Sequence, residues 1–258
     1  MNEPSPPDVA VTAADFLISV HRLSITEAEH LNFNKQHAWH RTLVQFYGSL
    51  VELSHALHAV FTVEAYIAIP SIFRSLLEAY VDFINLVQNP KYGYYLDYAY
   101  YTQWLKLLDA AESGRNAFLA SISDDAMRPW FRRTLENALS ELVSKGYKKG
   151  LDNVEKFRMA GMEAEYRSLY NFLCCDSHNN IRALIGRHIE FDDDNQSFEL
   201  AIHRERKTGE FAAELCQAAK LLADAGIRLH RALESGHAAN IEHTLADCAT
   251  LENQIAST

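Results

Sequence analysis

Apolar residues recur at three- and four-residue steps through most of the chain, the spacing of helices that bury one face. Phe16, Leu17, Val20 and Leu23 predict a first helix ending near His30. Leu43, Phe46, Tyr47, Leu50, Leu53, Leu57 and Val60 predict a second, from about Asn34 to Thr62. A third is expected to start near Glu64, to tolerate Pro70 in its early turns, and to stop at Asn89-Pro90, because the residue before a proline avoids the helical region. Tyr92 to Ala111 reads as the fourth, and Asp124 to Lys145 as the fifth, capped by Ser123 with Pro129 close to its start. After a loop from Lys145 to Gly150, further helices are expected from about Asn153 to Cys174, Ser177 to Gly186, Thr208 to Ser235 and Ala238 to Ile255.

One stretch has period two instead. Ile189-Glu190-Phe191 and Phe198 to Ile202 both alternate and predict a short β-hairpin over about 188–203. Asp192, Asp193, Asp194 and Asn195 between them lack the glycine and the final glutamate of a calcium loop, so no calcium is expected. The Pro-rich, acidic residues 1–8 are expected to be a flexible leader. With no repeat and no linker further on, residues 9–258 are expected to form a single all-α domain, a bundle of about nine helices and the hairpin.

Composition supports long helices: 258 residues contain only 10 Gly and 6 Pro, and Pro4, Pro6 and Pro7 lie in the leader. The net charge of −10 sets the molecule as a whole against nucleic acid and anionic membrane, although the stretch from Met127 to Arg206 carries equal numbers of basic and acidic residues. The four cysteines show no CxxC or zinc spacing and are expected to be reduced. The most apolar window, Ala56 to Phe73, is interrupted by His58, Glu64 and Pro70, so a cytoplasmic protein without a membrane partner is expected.

Two segments hold candidate chemistry. Around the third helix, apolar residues from Ile72 to Val87 cover an arc of about 220°, far wider than the stripe of a surface helix, so this helix is central. Its remaining strip carries Arg74, Glu78 and Asp82, with Arg74 and Glu78 one turn apart. That strip is either a solvated i,i+4 pair or one wall of a polar cleft. The second segment runs from Tyr170 and Asn171 into Cys174-Cys175-Asp176-Ser177-His178-Asn179-Asn180, a run of weak helix formers between two well-patterned helices. If the helix continues, Asn171, Cys175, His178 and Arg182 share a strip; if it breaks, Asp176 or Ser177 caps the next one. His178 is the best candidate for an acid, a base or a hydrogen-bonding group, or else it satisfies a backbone carbonyl.

RSLLEAYVDF, followed about a hundred residues later by YNFLCCDSHNNIRAL, resembles an uncharacterised bacterial domain-of-unknown-function family of all-helical proteins, over roughly Leu43 to Leu233. More loosely the arrangement is similar to HEPN-type helical domains, some of which are metal-independent ribonucleases of toxin and antiphage systems. Their arginine-to-histidine motif is met by Arg182 and His188 with five residues between. The sequence departs from that pattern in having Ala183 after the arginine and in Gly186, which is expected to end the helix before His188. A six-residue step also sets the two side chains about 240° apart.

This resemblance implies a dimeric ribonuclease in which His178 and Arg182, or Arg182 and His188, act on RNA without a cofactor. The alternative from the residues alone is a non-catalytic interaction or ligand-binding module with a buried network of Arg74, Glu78, Asp82, Tyr170, Asn171, Asp176 and Asn179 around His178. Glu27-x-x-His30 and Glu52-x-x-His55 have di-iron spacing, but on consecutive helices and without the single glutamates such centres need, so no metal is expected. Tyr92, Tyr94, Tyr95, Tyr98, Tyr100 and Tyr101 suit core packing or a homodimer interface. No phosphate-binding glycine loop, nucleophile elbow or dinucleotide motif is present, so no cofactor is expected.

Overall fold

The apolar stripes find their partners in a computed structural model that describes residues 8–114, 116–119, 121, 128–177, 180–191, 197–202 and 208–257. Residues 1–7 of the expected leader, the Ser123 cap and the Asp192–Asn195 loop lie outside the described residues. Helix α1 (Val9–Ala28) is capped by Asp8, whose carboxylate accepts the Ala10 N–H at 2.9 Å. Then come α2 (Ala38–Thr62), a 3₁₀ turn at Tyr66–Ala68, and α3 (Ile69–Gln88). A turn at Pro90–Tyr92 leads into α4 (Gly93–Glu112), followed by α5 (Arg128–Ser144) and α6 (Asn153–Met159). A single helical turn at Glu163–Glu165 widens into a π turn at Tyr166–Tyr170 and continues as α7 (Asn171–Ser177). Helix α8 (Ile181–His188) feeds β1 (Ile189–Phe191), which pairs antiparallel with β2 (Phe198–Leu200) before α9 (Ala212–Ala232) and α10 (Ala238–Ile255). The all-α bundle and its hairpin are therefore as the periodicity predicts.

The chain divides into two compact units, residues 1–87 with 157–258, and residues 88–156. In the first, α9 is the central packing element, touching α1, α2 and α10. Its small residues Ala218, Ala219, Ala223 and Ala225 are fully buried and let neighbouring helices approach. Gly226 marks the tightest point: a Cβ there would lie 2.9 Å from Ile241 Cδ1 and 3.0 Å from the Tyr47 hydroxyl. Cys216 and Cys248 are buried in the same core as free thiols, and burial pushes them up to about 11 and about 12. Among the described residues, α1 is the one helix long and apolar enough to cross a membrane, and Ala10, Ala13, Leu17 and Val20 form its buried face. Trp39 of α2 donates its indole N–H to the Leu86 carbonyl of α3 at 2.8 Å.

In the second unit α4 pairs with α5. Arg132 reaches back from α5 to Asp109 at 2.8 Å and Glu112 at 3.1 Å, and Trp104 meets Phe131 edge to face. The tyrosines of α4 are used locally: Tyr94 and Tyr95 pack on Tyr147, and the Tyr98 hydroxyl donates to the Lys148 carbonyl at 2.9 Å.

Several boundaries differ from the pattern. The helix expected from Asn153 to Cys174 breaks at Gly161, whose φ of 75° takes the chain out of the right-handed region. Met162 N–H then bonds to the Phe157 carbonyl at 2.8 Å and Gly161 N–H to Arg158 at 3.1 Å, which closes a Schellman turn. Glu64 and Glu234 adopt the same left-handed conformation after α2 and α9, at φ 59° and 53°, without the glycine that normally advertises it. Gly186 does not end α8, which runs through it to His188. The cap of α8 is Asn180, accepting the Arg182 N–H at 3.0 Å, and neither Asp176 nor Ser177.

Candidate functional site

Helix α3 places Arg74 and Glu78 on its polar strip, where the guanidinium Nε meets Glu78 Oε1 at 3.1 Å. Both side chains are half-buried. The third member arrives from far along the chain. Tyr170 closes the π turn, an uncommon helical geometry that recurs at functional positions. Its ring is buried against Phe157 and Tyr166, with centroids 5.0 and 5.2 Å away. From that anchor the Tyr170 hydroxyl donates to Glu78 Oε1 at 2.7 Å and accepts from Arg74 Nη2 at 3.4 Å, while the guanidinium carbon lies 5.4 Å from the ring centroid.

The electrostatics follow from this geometry. Burial, the hydrogen bond to Glu78 and its negative charge all push the Tyr170 hydroxyl above its ordinary value, so it stays protonated at neutral pH. Burial alone would lower Arg74, but its bond to Tyr170 and the charge of Glu78 outweigh that and leave it raised. Tyr170 is thus no base and Arg74 no acid near neutrality. The trio provides a fixed cation, a carboxylate and a committed hydroxyl donor.

The other expected site residues are distributed differently. Asp82 is half-buried further along α3, and exposed Asn171 bonds to the Arg167 carbonyl within its own helix at 3.4 Å. Asp176 falls in α7, whereas His178 and Asn179 lie outside the described residues. Arg182 is exposed in the first turn of α8. His188 ends that helix with Nδ1 3.1 Å from the Ala201 carbonyl, which ties it to the hairpin. Because α8 is unbroken between them, Arg182 and His188 occupy different sides of it, about 240° apart.

Two further polar groups in the first unit escape a sequence reading. Tyr80 of α3 donates to Asp224 of α9, which also holds Arg228 one turn on, both at 2.5 Å. The Asp224 and Arg228 spacing is legible; the tyrosine from another helix is not. At the end of α1, buried Glu27 accepts from His237 at 2.9 Å and from Asn240 at 3.1 and 3.2 Å. His30 stacks on His237 with centroids 4.4 Å apart, so the Glu27-x-x-His30 spacing belongs to a hydrogen-bonded cluster. Among the described residues no group of three or more His, Cys, Asp or Glu is placed to hold a metal ion.

These features define an all-helical protein with a small β-hairpin and a polar trio between α3 and a π turn. The chain belongs to a family of unknown function, DUF5677, whose model matches residues 40–197. The match includes Arg74, Glu78, Tyr170, Arg182 and His188 and ends before β2. Neither a curated protein nor a solved structure matches the chain.

Proposed function

We propose that the protein is a non-catalytic helical interaction or ligand-binding module, with Arg74, Glu78 and Tyr170 as its fixed polar site. The observation that carries this reading is the hydrogen bond from Tyr170 to Glu78: it commits both groups to each other and keeps the hydroxyl protonated, which suits orientation of a charge and not proton transfer. Half-buried Arg74 and Glu78 keep part of their surface within reach of solvent, where an oriented ion pair suits recognition of a ligand. Thermal melts of Glu78→Gln and Arg74→Gln test it. Both variants should melt below the wild type while total RNA stays intact in all three samples; unchanged melting in both removes this reading.

A second reading, a HEPN-like metal-independent ribonuclease of a toxin or antiphage system, has one feature in its favour. Arg182 is exposed on the same short helix that ends in His188, so arginine and histidine of the motif share one element. In this reading Arg182 stabilises charge on the scissile phosphate and His188 or His178 takes the 2′-hydroxyl proton. Incubation with total RNA in EDTA, compared with Arg182→Ala, His188→Ala and His178→Ala, decides it: cleavage lost in the variants supports the ribonuclease, and cleavage by none or equally by all refutes it.

A further inference from the structure

Three imidazoles gather around one buried carboxylate where α1, α9 and α10 meet. Glu27, with 9% of its side chain exposed, accepts from His237 Nδ1 at 2.9 Å and from the Asn240 amide at 3.1 and 3.2 Å. An ionised carboxylate only accepts, so the His237 proton sits on Nδ1, and a second proton on that ring must go to Nε2. Exposed His30 lies flat on the same ring, with 4.4 Å between centroids and 11° between planes. His230 of α9 is fully buried, its ring 6.0 Å from that of His237. Its Nδ1 meets the Ser235 hydroxyl, and among the described residues its Nε2 has no hydrogen-bond partner.

This cluster balances one added proton and no more. A single imidazolium at His237 is matched by Glu27 and tightens the joint. A second charge, on stacked His30, faces the first across 4.4 Å, and a charge on His230 has neither solvent nor an acceptor at Nε2. Burial lowers His230 accordingly. The other groups around the cluster bring no compensating charge. Tyr47 of α2 is pushed up to about 12 by burial and stays neutral, and Arg231 of α9 is paired with Glu242 of α10 at 2.6 Å. Glu29 and Glu234, the carboxylates next to His30 and Ser235 in the chain, are exposed, and among the described residues neither pairs with an imidazole.

We propose that the cluster is an acid-released latch on α10: it holds that helix against α1 and α9 while it carries one added proton or none, and releases it when a second imidazole is charged. The helix that moves is α10 because it packs on α9 and α1, whereas those two are also held by each other and by α2. The open form takes up a proton that the closed form cannot accommodate, so opening gains up to about tenfold per pH unit as pH falls. Release bares the seam between α9 and α10, where Ile241, Cys216 and Cys248 are fully buried and the Cys216 thiol meets the Cys248 carbonyl at 3.8 Å.

Those two thiols report the latch independently of the polar trio. The full chain is pulsed with a pyridyl disulfide, which reacts with thiols in acid as well as at neutrality, at about pH 7.5 and about pH 5.5, on either side of the ordinary histidine value. Peptide mass spectrometry then reads labelling of Cys216 and Cys248 relative to exposed Cys175. The relative rate should rise about tenfold or more in acid while the far-ultraviolet circular dichroism holds. His30→Gln, an exposed change that removes the site of the second proton, should cut the rise to about threefold or less. Glu27→Gln leaves even the first proton unmatched and should shift the rise to higher pH, whereas His243→Gln, exposed on α10, should behave as the wild type. No rise in acid, an equal rise in His30→Gln, or a rise that only accompanies loss of helix throughout the chain overturns the proposal.

Discussion

The hydroxyl of Tyr170 sits 2.7 Å from Glu78 Oε1, a hydrogen bond across 92 positions of sequence that fastens the π turn to α3. Removing it with Tyr170→Phe keeps the ring packing on Phe157 and Tyr166 and leaves Glu78 with Arg74. The expected loss is about 1–2 kcal/mol, seen as a fall in melting temperature of roughly 2–6 °C. A melt within error of the wild type would mean that the bond contributes nothing in solution.

Gly226 is required by its neighbours. In Gly226→Ala the new methyl meets Ile241 Cδ1 and the Tyr47 hydroxyl at distances no side chain tolerates without movement, so a loss of about 1–3 kcal/mol is expected. Adding Ile241→Val deletes the closest atom. The double variant should therefore recover part of the loss in a urea melt, and strictly additive effects would argue against the clash.

Glu234 and Glu64 hold left-handed positions that favour glycine. At each, the two Schellman hydrogen bonds are in place: Ser235 N–H to the His230 carbonyl with Glu234 to Arg231, and Ala65 to Val60 with Glu64 to Phe61. Glu234→Gly and Glu64→Gly keep these bonds and remove the Cβ strain, so each should stabilise by about 1 kcal/mol. Lower melting temperatures in both would refute the assignment.

Acid should weaken the fold. Burial lowers His21, His58 and His230, and His40 is lowered by burial and by His37. A histidine depressed in the folded state contributes stability that is fully present above its unfolded value of about 6.5 and is lost as pH falls from there through its lowered folded-state value. Glu27 acts in the same direction lower down. Burial alone would raise it, but bonds from Asn240 and His237 hold it below the usual carboxylate range, so its contribution disappears as pH falls below about 4.5. Melting temperature should decline from about pH 7.5 to 5.5, less steeply in His58→Gln; a flat or rising profile contradicts this.

Local pattern carried much of the fold into the sequence. The wide apolar arc of α3 and its Arg74 and Glu78 strip are properties of one helix, and the alternation of Phe191, Phe198 and Leu200 is a property of one ribbon. What stayed hidden depends on distant partners or on exceptions to residue preference. The network reading groups Tyr170 with Arg74 and Glu78, but the π turn that aims its hydroxyl at Glu78 has no composition of its own. Likewise Glu27 meets His237 and Asn240 only because α1 packs on α10. Gly161 was readable as a stop, yet a lone glycine inside a helical pattern is usually tolerated, while Glu64 and Glu234 mark turns with a residue that favours helix.

The pairing of α1 with α9 also fixes an order of events. Among the described residues α1 is the helix apolar enough to span a membrane, and its main packing partner begins only at Ala212. At synthesis rates of about 5–20 residues per second, α1 waits on the order of ten seconds or more for that partner. A nascent chain that ends before α9 therefore offers chaperones, membranes and other chains an apolar helix that α2 covers only in part.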